Sequence, residues 1–278
     1  MFRKDKAERA RLRAARVGGG HMNRLIPNAI TVGALCAGLS GVRFAIDGRF
    51  EMAVGAIVVA AVLDGLDGRM ARLLNGTSKF GAELDSLSDF ISFGVAPALI
   101  VYLWVLSAWG GAGWIVALAY AVCCGLRLAR FNAALAEPNQ PAWAGNFFTG
   151  VPAPAGAGLA LMPMMAHFEF GEGITNHALV GAVSLAFVAF LMVSRLPTFS
   201  GKKVHVPRGW MVPALVAIGL FFAALASAPW ATLLAAGAVY LAMIPLAYAN
   251  QRKFRLAEPE PVATAAAKPS LSVVNDRK

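Results

Sequence analysis

Residues 63–90 read LDGLDGRMARLLNGTSKFGAELDSLSDF and place four carboxylates, Asp64, Asp67, Asp85 and Asp89, within an otherwise apolar chain. An ionised carboxylate in or beside a bilayer is costly and usually faces a cavity, a partner or an ion. Asp64 and Asp67 are three residues apart and share one face of a helix; Asp85 and Asp89 are four apart and share a face of the next. Gly76 and Thr77 between them mark a turn that folds the two helices into an antiparallel pair, with the carboxylates converging across their interface. Hard oxygen donors in this arrangement suit Mg2+ or Mn2+ and disfavour zinc, and four carboxylates suffice for two ions.

The rest of the chain sets the context. Of 278 residues, 58% are hydrophobic and 14% charged, and the mean hydropathy is +0.62. Soluble domains carry about 25% charged residues, so too few are present to cover a water-facing surface. Apolar runs fall at 26–46, 52–74, 81–106, 112–133, 151–168, 176–194, 209–227 and 229–249. Each approaches the ~20 residues that cross a bilayer as a helix, and barrel-type alternation is absent. The expected fold is therefore an all-α polytopic membrane helix bundle of about eight transmembrane helices.

Charge in the loops orients it. Segments such as Arg69–Lys79 and Arg195–Arg208, the N-terminus and QRKFR near the end are basic, whereas the alternate loops hold Asp47, Glu51, Glu169 and Glu172 with Arg49 the lone cation. The positive-inside rule then puts both termini, and all four aspartates, on the cytoplasmic side. The first apolar run is too long for a cleaved signal peptide and reads as a first span. Three divisions follow: a basic N-terminal segment at 1–25, a membrane domain at 26–250 and a disordered Pro/Ala-rich tail at 251–278. The N-terminal segment is either a short amphipathic helix on the membrane surface or an unstructured basic tail.

The formal net charge of +10 raises nucleic acid as a partner, but no aromatics interleave with the cations. Anionic headgroups and phosphates fit better. Cys36, Cys123 and Cys124 lie in apolar runs without metal-type spacing and read as small buried hydrophobes. His21, His167, His177 and His205 lie outside the carboxylate cluster and receive no role.

Small residues accompany the carboxylates. Gly68, Ala71 and Gly81 leave room for a helix or a ligand, and Arg72 is placed to reach a phosphate oxygen. The whole pattern, D64-xx-D67-G68-xx-A71-R72-x8-G81-xxx-D85-xxx-D89, resembles the signature of the CDP-alcohol phosphotransferase family at every defined position. That resemblance implies a membrane enzyme that displaces CMP from a CDP-activated lipid with a second alcohol. It implies that Asp64, Asp67, Asp85 and Asp89 ligate divalent ions, Mg2+ or Mn2+, and that Asp89 is also the general base. Gly68, Ala71, Arg72, Ser78 and Gly81, with Asn28 and Thr31 of the IPNAIT run, would contact the CDP-lipid.

Further stretches, Glu83–Ala98, Cys124–Asn132, Phe147–Gly156 and Leu191–Lys203, resemble the branch of that family whose acceptor is L-serine. By that resemblance the substrates are CDP-diacylglycerol and L-serine, and Arg127, Arg130 and Asn132 bind the acceptor or a phosphate. The setting is a prokaryotic cytoplasmic membrane with the site facing the cytoplasm, and a homodimer is expected by analogy. Lys202 and Lys203 read as topology determinants. Two alternatives stand beside it: the same transfer to glycerol 3-phosphate or an inositol phosphate, and a cation transporter using the aspartates as an ion route.

Overall fold

The computed structural model describes residues 2–135, 147–171, 173, 177–194, 196–199 and 208–257. The tail at 258–278, Lys202 and Lys203 lie outside the described residues. In chain order the elements are α1 (Phe2–Ile46), α2 (Phe50–Leu73), α3 (Lys79–Asp89), a π-helical turn (Phe90–Val95), α4 (Ala96–Trp104), a 3-10 turn (Leu106–Trp109) and α5 (Gly111–Leu135). Then come β1 (Phe147–Thr149), α6 (Ala153–Ala160), α7 (Met162–Phe170), α8 (Ala178–Val193), β2 (Pro197–Phe199), a 3-10 turn (Arg208–Trp210), α9 (Met211–Ser227) and α10 (Pro229–Ala257).

The all-α expectation gains one addition. β1 and β2 pair antiparallel, with Phe147 opposite Phe199 and Thr149 opposite Pro197. Helices run beyond the apolar segments at both ends. α1 is a single helix that incorporates the basic N-terminal segment. α10 runs through QRKFRLA to Ala257, because those residues favour helix and no proline intervenes before Pro259. Residues 251–257 are thus helical where a disordered tail was expected.

Among the described residues, four stretches are long and apolar enough to cross a membrane: Leu25–Ile46, Lys79–Trp104, Gly111–Ala134 and Pro229–Leu246. They fit an integral membrane protein. The helices at Ala178–Val193 and Met211–Ser227 are apolar but shorter. α2 has the length, yet its second half carries Asp64, Asp67, Arg69 and Arg72. Outward-facing Val32, Leu39, Val59 and Val62 on the first two helices, and Leu215, Phe222 and others on α9, are exposed, as lipid contact requires. The packed centre is built by α2, α4, α5, α6, α7 and α8 around Val54, Ile100, Tyr120, Met164, Leu185 and Met192.

Two of the expected spans depart from regular α-helix near a proline, whose missing N–H frees the carbonyl four residues earlier. Pro97 frees that of Phe93, which accepts a 3.0 Å bond from the buried Tyr120 hydroxyl of α5. Pro163 frees that of Leu159, and the Ser184 hydroxyl of α8 lies 3.4 Å from it and 3.3 Å from the Ala160 carbonyl. Neighbouring helices therefore supply the donors that lipid cannot. The first interruption includes the π turn, which begins directly after Asp89; such turns are frequent at functional sites.

Candidate active site

The turn between the two carboxylate helices differs in detail from the expected Gly76–Thr77 bend. Asn75 takes the left-handed conformation (φ 49°), a region in which asparagine is tolerated. The Asn75 and Gly76 N–H groups return to the carbonyls of Arg72 and Ala71, at 3.3 and 2.9 Å, and close α2 with a Schellman motif. Ser78 then caps α3, its hydroxyl accepting from the Gly81 N–H at 3.0 Å. A tight stop and a capped start separated by four residues turn the carboxylates of the two helices toward each other.

Asp64 and Asp67 of α2 and Asp85 of α3 each offer a carboxylate oxygen, and these oxygens lie within 4.8 Å of one another. Asp89 stands one turn beyond Asp85, with its carboxyl group beside that of Asp64. None of the three clustered carboxylates forms an ion pair with a lysine or arginine among the described residues. Like charges held this close without an ion pair are unfavourable, and a divalent cation with oxygen preference removes the conflict. The donor set therefore fits the Mg2+ or Mn2+ expected from the sequence.

Beside the cluster opens a cleft of about 440 Å³. Asn28, Thr31, Gly68, Ala71, Arg72, Ser78 and Gly81, all seven residues expected to contact the CDP-lipid, line it together with Asp67 and Asp85. Pro27, Gly76, Thr77 and Ala82 complete the wall; the sequence signal for Pro27 was its place beside Asn28. The expected packed α2–α3 interface is absent: the two helices barely touch, and α1 packs against both. The small side chains on their facing sides leave the gap open as the cleft.

The two glycines of the cleft do different things. A Cβ at Gly81 would lie 2.8 Å from Asn28 Oδ1 and 3.1 Å from Ser78 Oγ, so this glycine admits Asn28 to the wall. A Cβ at Gly68 would meet nothing within 4 Å and would project into empty cleft. Gly68→Ala should therefore raise helix stability by about 0.5–1 kcal/mol. It should also raise the KM for the CDP substrate about tenfold, as ~1.4 kcal/mol of steric exclusion requires. Thermal melts and a CDP-lipid titration check both; an unchanged KM would remove Gly68 from the substrate wall.

The three acceptor-binding candidates on α5 are not gathered in one place. Arg127 is buried at 7% exposure, stacks its guanidinium 5.4 Å from the Phe131 ring and lies within electrostatic reach of Asp89. Its Nε has no hydrogen-bond partner among the described residues. Arg130 instead donates from Nη1 to the Val193 carbonyl at 2.7 Å and from Nη2 to those of Met192 and Ser194, both at 3.2 Å. It thereby caps the C-terminus of α8, where a cation also meets the negative end of the helix dipole. Asn132 donates from Nδ2 to Ser86 Oγ at 2.9 Å and ties α5 to α3. Only Arg127 thus combines burial, an unused donor and proximity to the carboxylates.

The chain is 40% identical over 229 residues to a Mycobacterium tuberculosis protein named CDP-diacylglycerol–serine O-phosphatidyltransferase, covering 82% of this chain and 80% of that relative. Relatives bearing the same name occur in Helicobacter pylori (36% over 200 residues, 71% of this chain and 81% of the relative) and Bacillus subtilis (33% over 178 residues, 64% and 92%). A second family model, CDP-alcohol phosphatidyltransferase 2, matches residues 209–245. The model described as CDP-alcohol phosphatidyltransferase matches residues 24–194, which include every residue that lines the cleft, and the chain belongs to that family.

Proposed function

We propose that this protein transfers the phosphatidyl group of CDP-diacylglycerol to the hydroxyl of L-serine, giving phosphatidylserine and CMP. The observation that carries the reading is the meeting of three carboxylates from two helices beside a cleft lined by the seven expected CDP-lipid contacts. The names of the relatives support serine as acceptor, as does the buried, unsatisfied Arg127 Nε on the Asp89 side of the cluster.

Residue roles follow from position. Arg72 and the Ser78 hydroxyl face the cleft and bind the CDP moiety, with Gly68 and Gly81 admitting it. Asp64, Asp67 and Asp85, with Asp89 for a second ion, hold Mg2+ or Mn2+, which when bound neutralises the pyrophosphate and stabilises the departing CMP. Arg127 pairs with the serine carboxylate. Asp89 accepts the proton of the serine hydroxyl as that oxygen forms its bond to the phosphatidyl phosphorus and the phosphorus–oxygen bond to CMP breaks. The balance requires no covalent enzyme intermediate, and none of the cysteines or histidines takes part.

The same reading makes residues 26–250 one membrane domain crossing a prokaryotic cytoplasmic membrane about eight times, with both termini and the carboxylates on the cytoplasmic side. The diacyl chains stay in lipid while the CDP group enters the cleft. A second copy of the chain is the expected partner. Purified protein supplied with CDP-diacylglycerol and Mn2+ or Mg2+ should release CMP when L-serine is added. Release with glycerol 3-phosphate or an inositol phosphate, and none with serine, would overturn the acceptor assignment.

A further inference from the structure

We propose that Thr31 is a positioning residue for the carboxylate cluster, its side chain aiming Asp67 of α2 and its carbonyl anchoring α3; this rests on the metal-site reading above. Thr31 and Asp67 are both buried, at 4% exposure each, and the Thr31 hydroxyl donates to Asp67 Oδ2 at 2.6 Å. That is a short hydroxyl-to-carboxyl hydrogen bond. A hydroxyl has one proton, and the competing acceptor, the Pro27 carbonyl at 3.1 Å, is the one that helical geometry already assigns to the Thr31 N–H. The proton therefore serves Asp67.

The Thr31 carbonyl works in the other direction. It accepts from the Ser88 hydroxyl at 3.2 Å, one residue before Asp89 and three after Asp85. One turn farther along, Ser92 donates to the Ala34 carbonyl at 3.3 Å, and Gly38 lets the helices close there, since a Cβ on it would lie 2.8 Å from the Ser92 Cα. Because α2 and α3 barely touch each other while α1 packs on both, the separation of the two carboxylate pairs is set through α1. Thr31 is the residue at which both connections meet. It thus shapes the site by holding a ligand, in addition to lining the cleft, much as outer-shell partners fix the ligands of metal sites.

The test is Mn2+ binding to the full-length, substrate-free enzyme, read from the electron paramagnetic resonance signal of free Mn2+. Thr31→Val keeps the shape and removes the donor, and should weaken Mn2+ binding about tenfold or more. Thr31→Ser keeps the donor and should bind within about threefold of the unmodified protein. Thr31→Ala repeats the loss of the donor if the valine variant does not fold. A role confined to packing predicts the reverse order, with valine near normal and serine impaired. Normal Mn2+ affinity in Thr31→Val, or a folded Thr31→Ser as weak as the valine variant, would overturn the proposal. Failure of the unmodified protein to bind Mn2+ would instead remove the metal-site reading and this proposal with it.

Discussion

Asp89→Asn should lower the rate of CMP release by about 10²–10⁴-fold, the span attributable to a lost general base, while leaving CDP-diacylglycerol binding nearly intact. The amide matches the carboxylate in shape but takes up no proton at neutral pH. Substrate binding should survive because Asp89 is absent from the cleft wall, which Asp67, Asp85 and the residues around Arg72 provide. Folding should survive as well. The Asp89 carboxyl group contacts that of Asp64, and replacing one of two adjoining carboxylates relieves repulsion in the ion-free protein. The checks are single-turnover CMP release, equilibrium binding of labelled CDP-diacylglycerol in micelles and a thermal melt. Near-normal turnover in a folded variant would take the base role from Asp89.

Asp64→Asn should act on a different quantity. Asp64 belongs to the trio whose oxygens lie within 4.8 Å of one another, so its loss should raise the Mn2+ concentration for half-maximal activity by about 10–100-fold, with partial recovery at high Mn2+. Stability provides a second readout. An ion at a hundred times its dissociation constant stabilises the folded protein by about 2.7 kcal/mol. A thirtyfold weaker site at the same concentration gives about 0.9 kcal/mol, so the Mn2+-induced rise in melting temperature should shrink to about a third. An unchanged Mn2+ titration would remove Asp64 from the ligand set. The two variants also separate the carboxylates by role, since excess Mn2+ should rescue Asp64→Asn and should not rescue Asp89→Asn.

The split between α3 and α5 explains which residues were accessible to a reading of the chain alone. The carboxylates and Gly68, Ala71, Arg72, Ser78 and Gly81 lie on two helices joined by a tight turn, so their nearness, though not their exact separation, follows from one short segment. Asn28 and Thr31 reach the same cleft because α1 packs along α2. Arg127, Arg130 and Asn132 are equally close in sequence to one another, yet their helical positions point them at three different neighbours. Arg130 meets the end of α8, Asn132 meets Ser86, and Arg127 lies toward Asp89. Nothing in the spacing of the three distinguishes the one that caps a helix from the one that lies toward the carboxylates.

Periodicity and the cost of charge in lipid were enough to specify helices, a membrane setting and a cluster of carboxylates suited to divalent ions, because those follow from hydration energy and side-chain spacing within single segments. Tertiary structure decided the rest. It put the left-handed residue at Asn75, opened α2 and α3 into a cleft where a packed pair was expected, and let Tyr120 and Ser184 satisfy the carbonyls freed by Pro97 and Pro163. It also made α1 the bridge between the carboxylate pairs, through bonds from Thr31 to Asp67 and from Ser88 to the Thr31 carbonyl. Those bonds join residues 36 and 57 positions apart. Pairings at such separation depend on how three helices pack, a property that no single segment encodes.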